Sequence, residues 1–183
     1  MQYKKVVIIG PESTGKSSLS ESLAKYYDTL WCPEYAREYL LKKGTRYQFG
    51  DLLDIARGQI NLENQFAKTL HDAPEKNEGK NYLFIDTDMY VMKVWCEFVF
   101  GKCHLWILDQ IAKRKYDLYL LCNTDLPWVK DELREYPDLE TRDKLLHFYK
   151  DHLINQSTPW VEISGLGDER VKAAVEAIDG FMG

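Results

Sequence analysis

The segment VVIIG, residues 6–10, followed by PESTGKSS, residues 11–18, decides the fold. Its first part is a continuous apolar run, which is typical of a strand buried on both faces of a parallel sheet. Residues 10–17 then match the pattern G-x-x-x-x-G-K-S, and Leu19 and Leu23 continue at helical spacing. A strand, a glycine-containing turn and an amphipathic helix in this order predict a loop that wraps around phosphate groups.

The residue types in this loop account for its chemistry. Its two glycines permit backbone angles and a close approach that a side chain would block. The amides that follow, at the positive end of the helix, bind phosphate oxygens. Lys16 is expected to reach the β- and γ-phosphates of a nucleoside triphosphate, and Ser17 to offer a hydroxyl to Mg²⁺. The predicted nucleotide contacts are Gly10, Glu12, Ser13, Thr14, Gly15, Lys16, Ser17 and Ser18.

The rest of the chain alternates between strand and helix patterns. Strands are predicted at TLWC, YLFID, DLYLLCN and WVEIS, and helical patterns lie between them. Residues 72–81 are polar and read as a surface loop, whereas residues 128–155 are charged and read as helical. Five short strands separated by helices predict an α/β fold whose parallel sheet is covered on both faces, in one domain spanning residues 1–183.

The charge and composition of the chain disfavour several classes of function. The net charge of −5 argues against nucleic acid as the main partner, because phosphate backbones need a basic face. No apolar run approaches the ~20 residues of a membrane span. The four cysteines include no C-x-x-C pair, which disfavours zinc and favours free thiols. We therefore expect a cytoplasmic protein that acts on a small molecule; its oligomeric state is left open.

Three carboxylates follow predicted strands. Asp86 ends YLFID, where it binds Mg²⁺ or caps the next helix. Asp88 holds an acceptor hydroxyl or serves as a first-turn acid of that helix. Glu34 ends the second strand and is placed to accept a proton from an attacking hydroxyl. Spacing alone leaves open which carboxylate is the base and which binds metal.

Arginines and aromatic residues supply further candidates. Arg37 clamps phosphate or substrate, or forms a surface ion pair. Arg134 and Arg142 close over the triphosphate on a mobile segment, or belong to a solvated helix face. The aromatic candidates for stacking on a ring, with a core position as the alternative, are Trp31, Tyr35, Trp95 and Trp128.

Phosphate-binding loops serve switches, motors and kinases. A GTP switch carries N-K-x-D, whereas this chain has Thr124 in the lysine position of NTD. Motor ATPases carry an acidic pair after the metal-binding strand, and this chain has D-T-D at residues 86–88. The pattern favours a small-molecule kinase, and an ATP-binding regulatory module is the alternative from another class.

The motifs GPESTGKS, CPEYAREYL, FIDTDMYVMKVWCEFVFG and NTDLPWVKDELR, in this order, resemble the ribosylnicotinamide kinase domain of the NadR proteins. The likeness runs from about Val6 to Leu153. It implies transfer of the ATP γ-phosphate to the 5′-hydroxyl of nicotinamide riboside, with another nucleoside as the alternative acceptor. It also implies a three-layer P-loop kinase core with a five-stranded parallel sheet and a helical lid at about residues 126–145.

The resemblance implies roles for matching residues. It places Lys16 and Ser17 on phosphate and Mg²⁺, Glu34 and Arg37 by the substrate, Asp86 and Asp88 at the metal and ribose side, and Arg134 and Arg142 in the lid. Taken with the candidates above, the predicted catalytic residues are Lys16, Glu34, Asp88, Arg134 and Arg142, the predicted substrate contacts are Glu34, Tyr35, Arg37, Asp88 and Trp95, and the predicted Mg²⁺ ligands are Ser17 and Asp86. At Pro33 the chain departs from family members, which have a tryptophan beside the pyridinium ring, and Trp31 lies two residues earlier. Longer members carry adenylyltransferase or DNA-binding domains, so we expect this chain neither to make NAD itself nor to repress genes.

Overall fold

A five-stranded parallel sheet forms the centre of the computed structural model, which describes residues 3–73 and 81–182. The strands are β1 (Lys4–Ile9), β2 (Leu30–Cys32), β3 (Tyr82–Asp86), β4 (Leu118–Cys122) and β5 (Trp160–Ile163). Their order across the sheet is β2-β3-β1-β4-β5, with every pairing parallel. Strand β1 is central, and its Val6 lies opposite Phe84 on one neighbour and Leu118 on the other.

Helices cover both faces of the sheet. They are α1 (Lys16–Tyr26), α2 (Tyr35–Lys43), α3 (Phe49–Asp72), α4 (Met89–Phe100), α5 (Leu105–Lys113), α6 (Leu139–Ile154) and α7 (Asp168–Met182). Side chains of β1 alternate between the two faces: Val6 and Ile8 pack with α1 and α7, whereas Val7 and Ile9 pack with α4 and α6. All four are fully buried, which explains the unbroken apolar run of this strand. The predicted α/β fold is confirmed.

The sheet topology places the candidate residues together. From β1 the chain moves outward to β2 and returns through β3, then crosses to β4 on the other side. The connection therefore reverses direction beside β1, and open α/β sheets bind ligands at such a point, beyond the carboxyl ends of the strands. Residues 10–15, 33–34 and 87–88 all follow strand ends at this edge.

Residues 128–138 form turns and irregular backbone, so the prediction that residues 128–155 are helical is wrong for this part. Helix α6 begins only at Leu139, because Asp138 caps it by accepting a hydrogen bond from the Thr141 amide at 2.7 Å. The predicted surface loop at 72–81 lies mostly outside the described residues. In the described part of the chain, no helix combines the length and apolar character that crossing a bilayer requires.

Candidate active site

A cavity of about 350 Å³ opens at the carboxyl edge of the sheet. The phosphate loop forms one end, and side chains of α2, α4 and α6 form the sides. Residues 127–136, which we call the strap, cross over it. The lining residues from the sequence prediction are Gly10, Glu12, Ser13, Gly15, Lys16, Ser17, Ser18, Trp31, Glu34, Arg37, Asp86, Trp95 and Arg134. Most of the predicted site residues are thus brought together.

The phosphate loop has the backbone that its glycines allow. Gly10 has φ +143°, and a Cβ there would lie 2.7 Å from the Cys122 carbonyl oxygen. Gly15 has φ +77° and precedes α1, so the first amides of that helix face the cavity end. Any other residue at Gly10 would push β1 away from β4, which explains the residue type.

Lys16 and Thr14 both bond to the loop itself. The ammonium of Lys16 donates to the Pro11 carbonyl oxygen at 2.8 Å, and the fully buried Thr14 hydroxyl donates to the same oxygen at 2.8 Å. The Thr14 side chain thus fixes the turn from within and does not line the cavity. Lys16 lines the cavity, and its ammonium is held over the loop where a phosphate chain would replace the carbonyl as its partner.

Ser17 and Asp86 meet at the phosphate end. The Ser17 hydroxyl donates to Asp86 Oδ2 at 2.5 Å, and Asp86 is fully buried at the end of β3. Burial raises the pKa of the Asp86 carboxyl, and the positive charge of Lys16 opposes this rise. A hydroxyl and a carboxylate are the hard oxygen donors that Mg²⁺ binds, and phosphate and water complete its shell. The pair therefore fits the metal role predicted for it.

Glu34 lies between β2 and α2 and lines the same cavity. Burial raises the pKa of its carboxyl to about 7, with a further rise from Asp86 and an opposing effect from Lys16. A carboxylate with a pKa near neutrality accepts a proton effectively at physiological pH. Glu34 therefore fits the proton-accepting role predicted for it, and that role stays a prediction.

Asp88 occupies a different environment. Its Oδ1 accepts hydrogen bonds from the amides of Tyr90 and Val91, which makes it the N-cap of α4. Its Oδ2 accepts a bond from the buried Tyr119 hydroxyl at 2.9 Å. Asp88 is 2% exposed and does not line the cavity. The structure therefore favours the capping alternative, and the catalytic and substrate roles of Asp88 stay predictions.

Replacing Asp88 with asparagine is expected to flatten the pH dependence of stability. Burial raises the pKa of Asp88 to about 7 in the folded chain, against about 3.9 for an unfolded aspartate. The folded state therefore binds a proton that the unfolded state has released, so the free energy of unfolding falls as pH rises from about 4 to about 7. Asparagine keeps an oxygen for the cap and removes this titration. Urea unfolding of both proteins from pH 5 to 8 measures the two slopes.

Glu34 titrates in the same range, so the slope of the Asp88→Asn variant should shrink without vanishing. Asp88→Ala is the matched comparison. It should lower stability at every pH by about 2–4 kcal/mol, because the cap is lost and the Tyr119 hydroxyl is left buried without its acceptor. Equal slopes in wild type and Asp88→Asn would contradict the assignment.

The three predicted arginines lie in different surroundings. Arg37 forms a two-bond ion pair with Asp131 of the strap, at 3.0 and 3.3 Å. Arg134 lines the cavity, and its guanidinium donates to the Val129 carbonyl. Arg142 is 4% exposed and does not line the cavity.

The prediction that Arg142 closes over the triphosphate is not supported by its position. Its guanidinium donates to the Leu126 carbonyl oxygen at 3.3 Å. Arg142 therefore braces the chain that leads into the strap, from the first turn of a helix rather than from a mobile lid.

The aromatic candidates differ in whether they line the cavity. Trp31 and Trp95 line the cavity, and the Trp95 indole donates to the Tyr47 hydroxyl at 2.8 Å. Tyr35 does not line it, because its ring packs over Gly58, where a Cβ would lie 1.9 Å from the ring. The predicted substrate contact of Tyr35 is therefore not seen. The remaining candidate, Trp128, donates to a Glu12 carboxylate oxygen at 3.0 Å.

Arg170 supports the phosphate loop and is absent from the sequence predictions. It is 4% exposed, and its guanidinium donates to the carbonyl oxygens of Thr14 and Asn123 at 3.2 and 3.0 Å. It also pairs with Asp125 at 2.8 Å. This one side chain ties α7 to the loops after β1 and β4. The local sequence does not indicate this contact, because Arg170 lies 156 residues from Thr14 and its helix has an ordinary charged pattern.

The strand–loop–helix geometry at Gly10, the bond from Ser17 to the buried Asp86 and the central position of β1 define a nucleotide-binding protein of the P-loop class. The family model of an AAA domain matches residues 5–170. The chain belongs to this family.

Similar proteins extend this result. The trifunctional NAD biosynthesis/regulator protein NadR of Escherichia coli K12 is 27% identical over 97% of this chain, as is NadR of Salmonella typhimurium LT2. The chain spans 42% of the length of these relatives. The resemblance to NadR proteins is confirmed.

Solved structures show the same fold. A NadR protein in complex with NR superposes with a TM-score of 0.79 at 21% identity, covering 99% of this chain and 50% of that one. Thymidylate kinase from Ehrlichia chaffeensis superposes with a TM-score of 0.69 at 14% identity, covering 97% of this chain and 99% of that one. The predicted P-loop kinase core is thereby confirmed as the fold.

Proposed function

We propose that this protein transfers the γ-phosphoryl group of ATP to the 5′-hydroxyl of nicotinamide riboside. One observation carries the proposal: a single cavity joins the phosphate loop and the Ser17–Asp86 pair to Glu34, a carboxylate suited to accept a hydroxyl proton. A phosphate donor and an acceptor hydroxyl need such a shared space for in-line transfer.

The walls beyond Glu34 favour a flat, positively charged acceptor. Rings from Trp31, Tyr47, Trp95, Phe98, Tyr136 and Tyr149 line the cavity together with Glu34 and Glu135, two lining acids that lie outside the phosphate loop and, among the described residues, form no ion pair with an arginine. The lining arginines have partners within the protein, since Arg37 pairs with Asp131 and Arg134 bonds to the strap. Aromatic faces and carboxylates attract a cationic pyridinium ring, whereas they repel an acceptor that already bears phosphate.

The similar proteins support the same acceptor. NadR proteins are named for NAD biosynthesis, and the likeness covers nearly the whole of this chain. A NadR protein was solved in complex with NR, and its fold matches this one. Similarity to thymidylate kinases favours a kinase more generally and keeps another nucleoside as the alternative acceptor.

The mechanism follows from the position of each group. Glu34 accepts the proton of the 5′-hydroxyl as its oxygen attacks the γ-phosphorus. Lys16 and the loop amides hold the phosphate oxygens and stabilise the charge that moves to the β–γ bridging oxygen. Ser17 and Asp86 are the residues that would hold Mg²⁺, which neutralises phosphate charge when bound. The strap excludes water that would otherwise compete with the acceptor.

The test is ADP release from ATP and Mg²⁺, with and without nicotinamide riboside, with the product identified by mass. We expect strong stimulation and formation of nicotinamide mononucleotide. Nicotinamide alone is the matched control, because it has the ring without the hydroxyl and should not stimulate. Cytidine, uridine and thymidine test neutral rings. Preference for one of these would favour the alternative acceptor, and ATP binding with no stimulation by any nucleoside would favour a regulatory module.

A further inference from the structure

The phosphate-binding loop contains an acidic side chain, that of Glu12. Glu12 is the third residue of the loop and lines the cavity whose end the loop forms. A carboxylate has no proton to donate to a phosphate oxygen at neutral pH, and the two negative charges repel. The predicted nucleotide contact therefore gives the backbone amide of Glu12 a role, but it does not explain why the side chain is acidic.

The structure gives the Glu12 carboxylate three donors, all on the strap. Oε1 accepts hydrogen bonds from the Tyr136 amide at 2.7 Å and the Trp128 indole at 3.0 Å. Oε2 accepts one from the Glu135 amide at 2.9 Å. Ser13, the next residue of the loop, accepts a further bond from the Val129 amide at 3.0 Å. Both ends of the strap are thus bonded to the loop.

The bonded amides directly follow Arg134, the arginine of the strap that lines the cavity. The backbone of residues 135–136 is fixed by two bonds to one carboxylate, and such charge-assisted bonds are stronger than neutral ones. Fixing this backbone sets where Arg134 enters the cavity. The Tyr136 ring meets Phe98 edge to face at 5.3 Å, and both residues line the cavity.

We propose that Glu12 is a positioning residue: its carboxylate fixes the strap over the cavity and thereby places Arg134 for phosphoryl transfer. The phosphate loop then has two roles. Its amides bind phosphate, and the Glu12 side chain holds the strap over the cavity. Only the kinetic consequence rests on the proposed function. The attachment of the strap does not, because it is present in the protein itself.

The first test is hydrogen exchange of the strap amides in the protein without ligands. In Glu12→Ala, exchange across residues 128–136 should rise about tenfold or more, because three bonds to a charged acceptor are lost. Glu12→Gln keeps one acceptor oxygen and should give an intermediate rate. Trp128→Phe removes the indole donor alone and should change exchange less than Glu12→Ala. The same replacement made in the Glu12→Ala protein should add no further increase.

The second test separates positioning from nucleotide binding. Glu12→Ala should lower kcat at least about tenfold while the Kd for ATP changes little, and Glu12→Gln should restore part of kcat. Unchanged strap exchange in Glu12→Ala would overturn the inference. So would a loss of ATP affinity that accounts for the whole loss of activity. If no nucleoside is phosphorylated, the proposed function fails, whereas the exchange result still decides the role of Glu12.

Discussion

Replacing Lys16 with alanine is expected to lower kcat on the order of 10³-fold while the fold persists. The ammonium of Lys16 lies over the phosphate loop, where it bonds to the Pro11 carbonyl oxygen at 2.8 Å. In the transfer step it would stabilise charge on the phosphate oxygens, and loss of one such donor costs about 10²–10³ in kcat. Steady-state ADP release in the presence of nicotinamide riboside measures the effect.

The control for Lys16→Ala is Lys25→Ala on the same helix. Lys25 is exposed in the last turn of α1, far from the phosphate end, and its loss should leave kcat within about twofold. Thermal unfolding of both variants checks that the fold is retained. Turnover at the wild-type rate in Lys16→Ala would show that the Lys16 ammonium does not take part in transfer.

The central fold could be read from local sequence because each strand carries its own signal. Val6 to Ile9 are all apolar because both faces of β1 are covered, and the glycine pattern after them requires a sharp turn. The Ser17–Asp86 contact could also be anticipated, because parallel strands present their carboxyl ends at one edge. The fold and the phosphate-binding end of the site could therefore be predicted from periodicity and turn chemistry, which are local properties of the sequence.

The remainder of the site depends on contacts between distant residues. The strap has a helical composition, yet its donors bond to Glu12, more than 110 residues away in sequence, rather than to a helix ladder. Asp88 is only two residues from Asp86 in sequence, but its carboxylate caps α4 and does not line the cavity. Arg142 and Tyr35 match the resemblance by position, and packing directs one to a carbonyl and the other over Gly58. Spacing cannot report which way such side chains face.

Replacing Glu34 with glutamine is expected to lower kcat by about 10²–10⁴-fold, the usual contribution of a general base. Glutamine keeps the shape and cannot accept the proton. In the wild-type protein kcat/KM should rise with pH through about 7 and level off above it, because the base acts deprotonated and burial holds the pKa of Glu34 near 7. The residual activity of Glu34→Gln should lack this rise.

Two variants make the Glu34 result specific. Glu38→Gln lies one turn further along α2, where the exposed Glu38 pairs with Lys42, and it should retain wild-type kinetics. Asp88 also has a pKa of about 7, so a rise in kcat/KM near pH 7 does not by itself identify the base. Since Asp88 caps α4 outside the cavity, Asp88→Asn should keep the rise that Glu34→Gln loses. The reverse pattern would assign the proton to Asp88 and make Glu34 a residue that only shapes the acceptor side of the cavity.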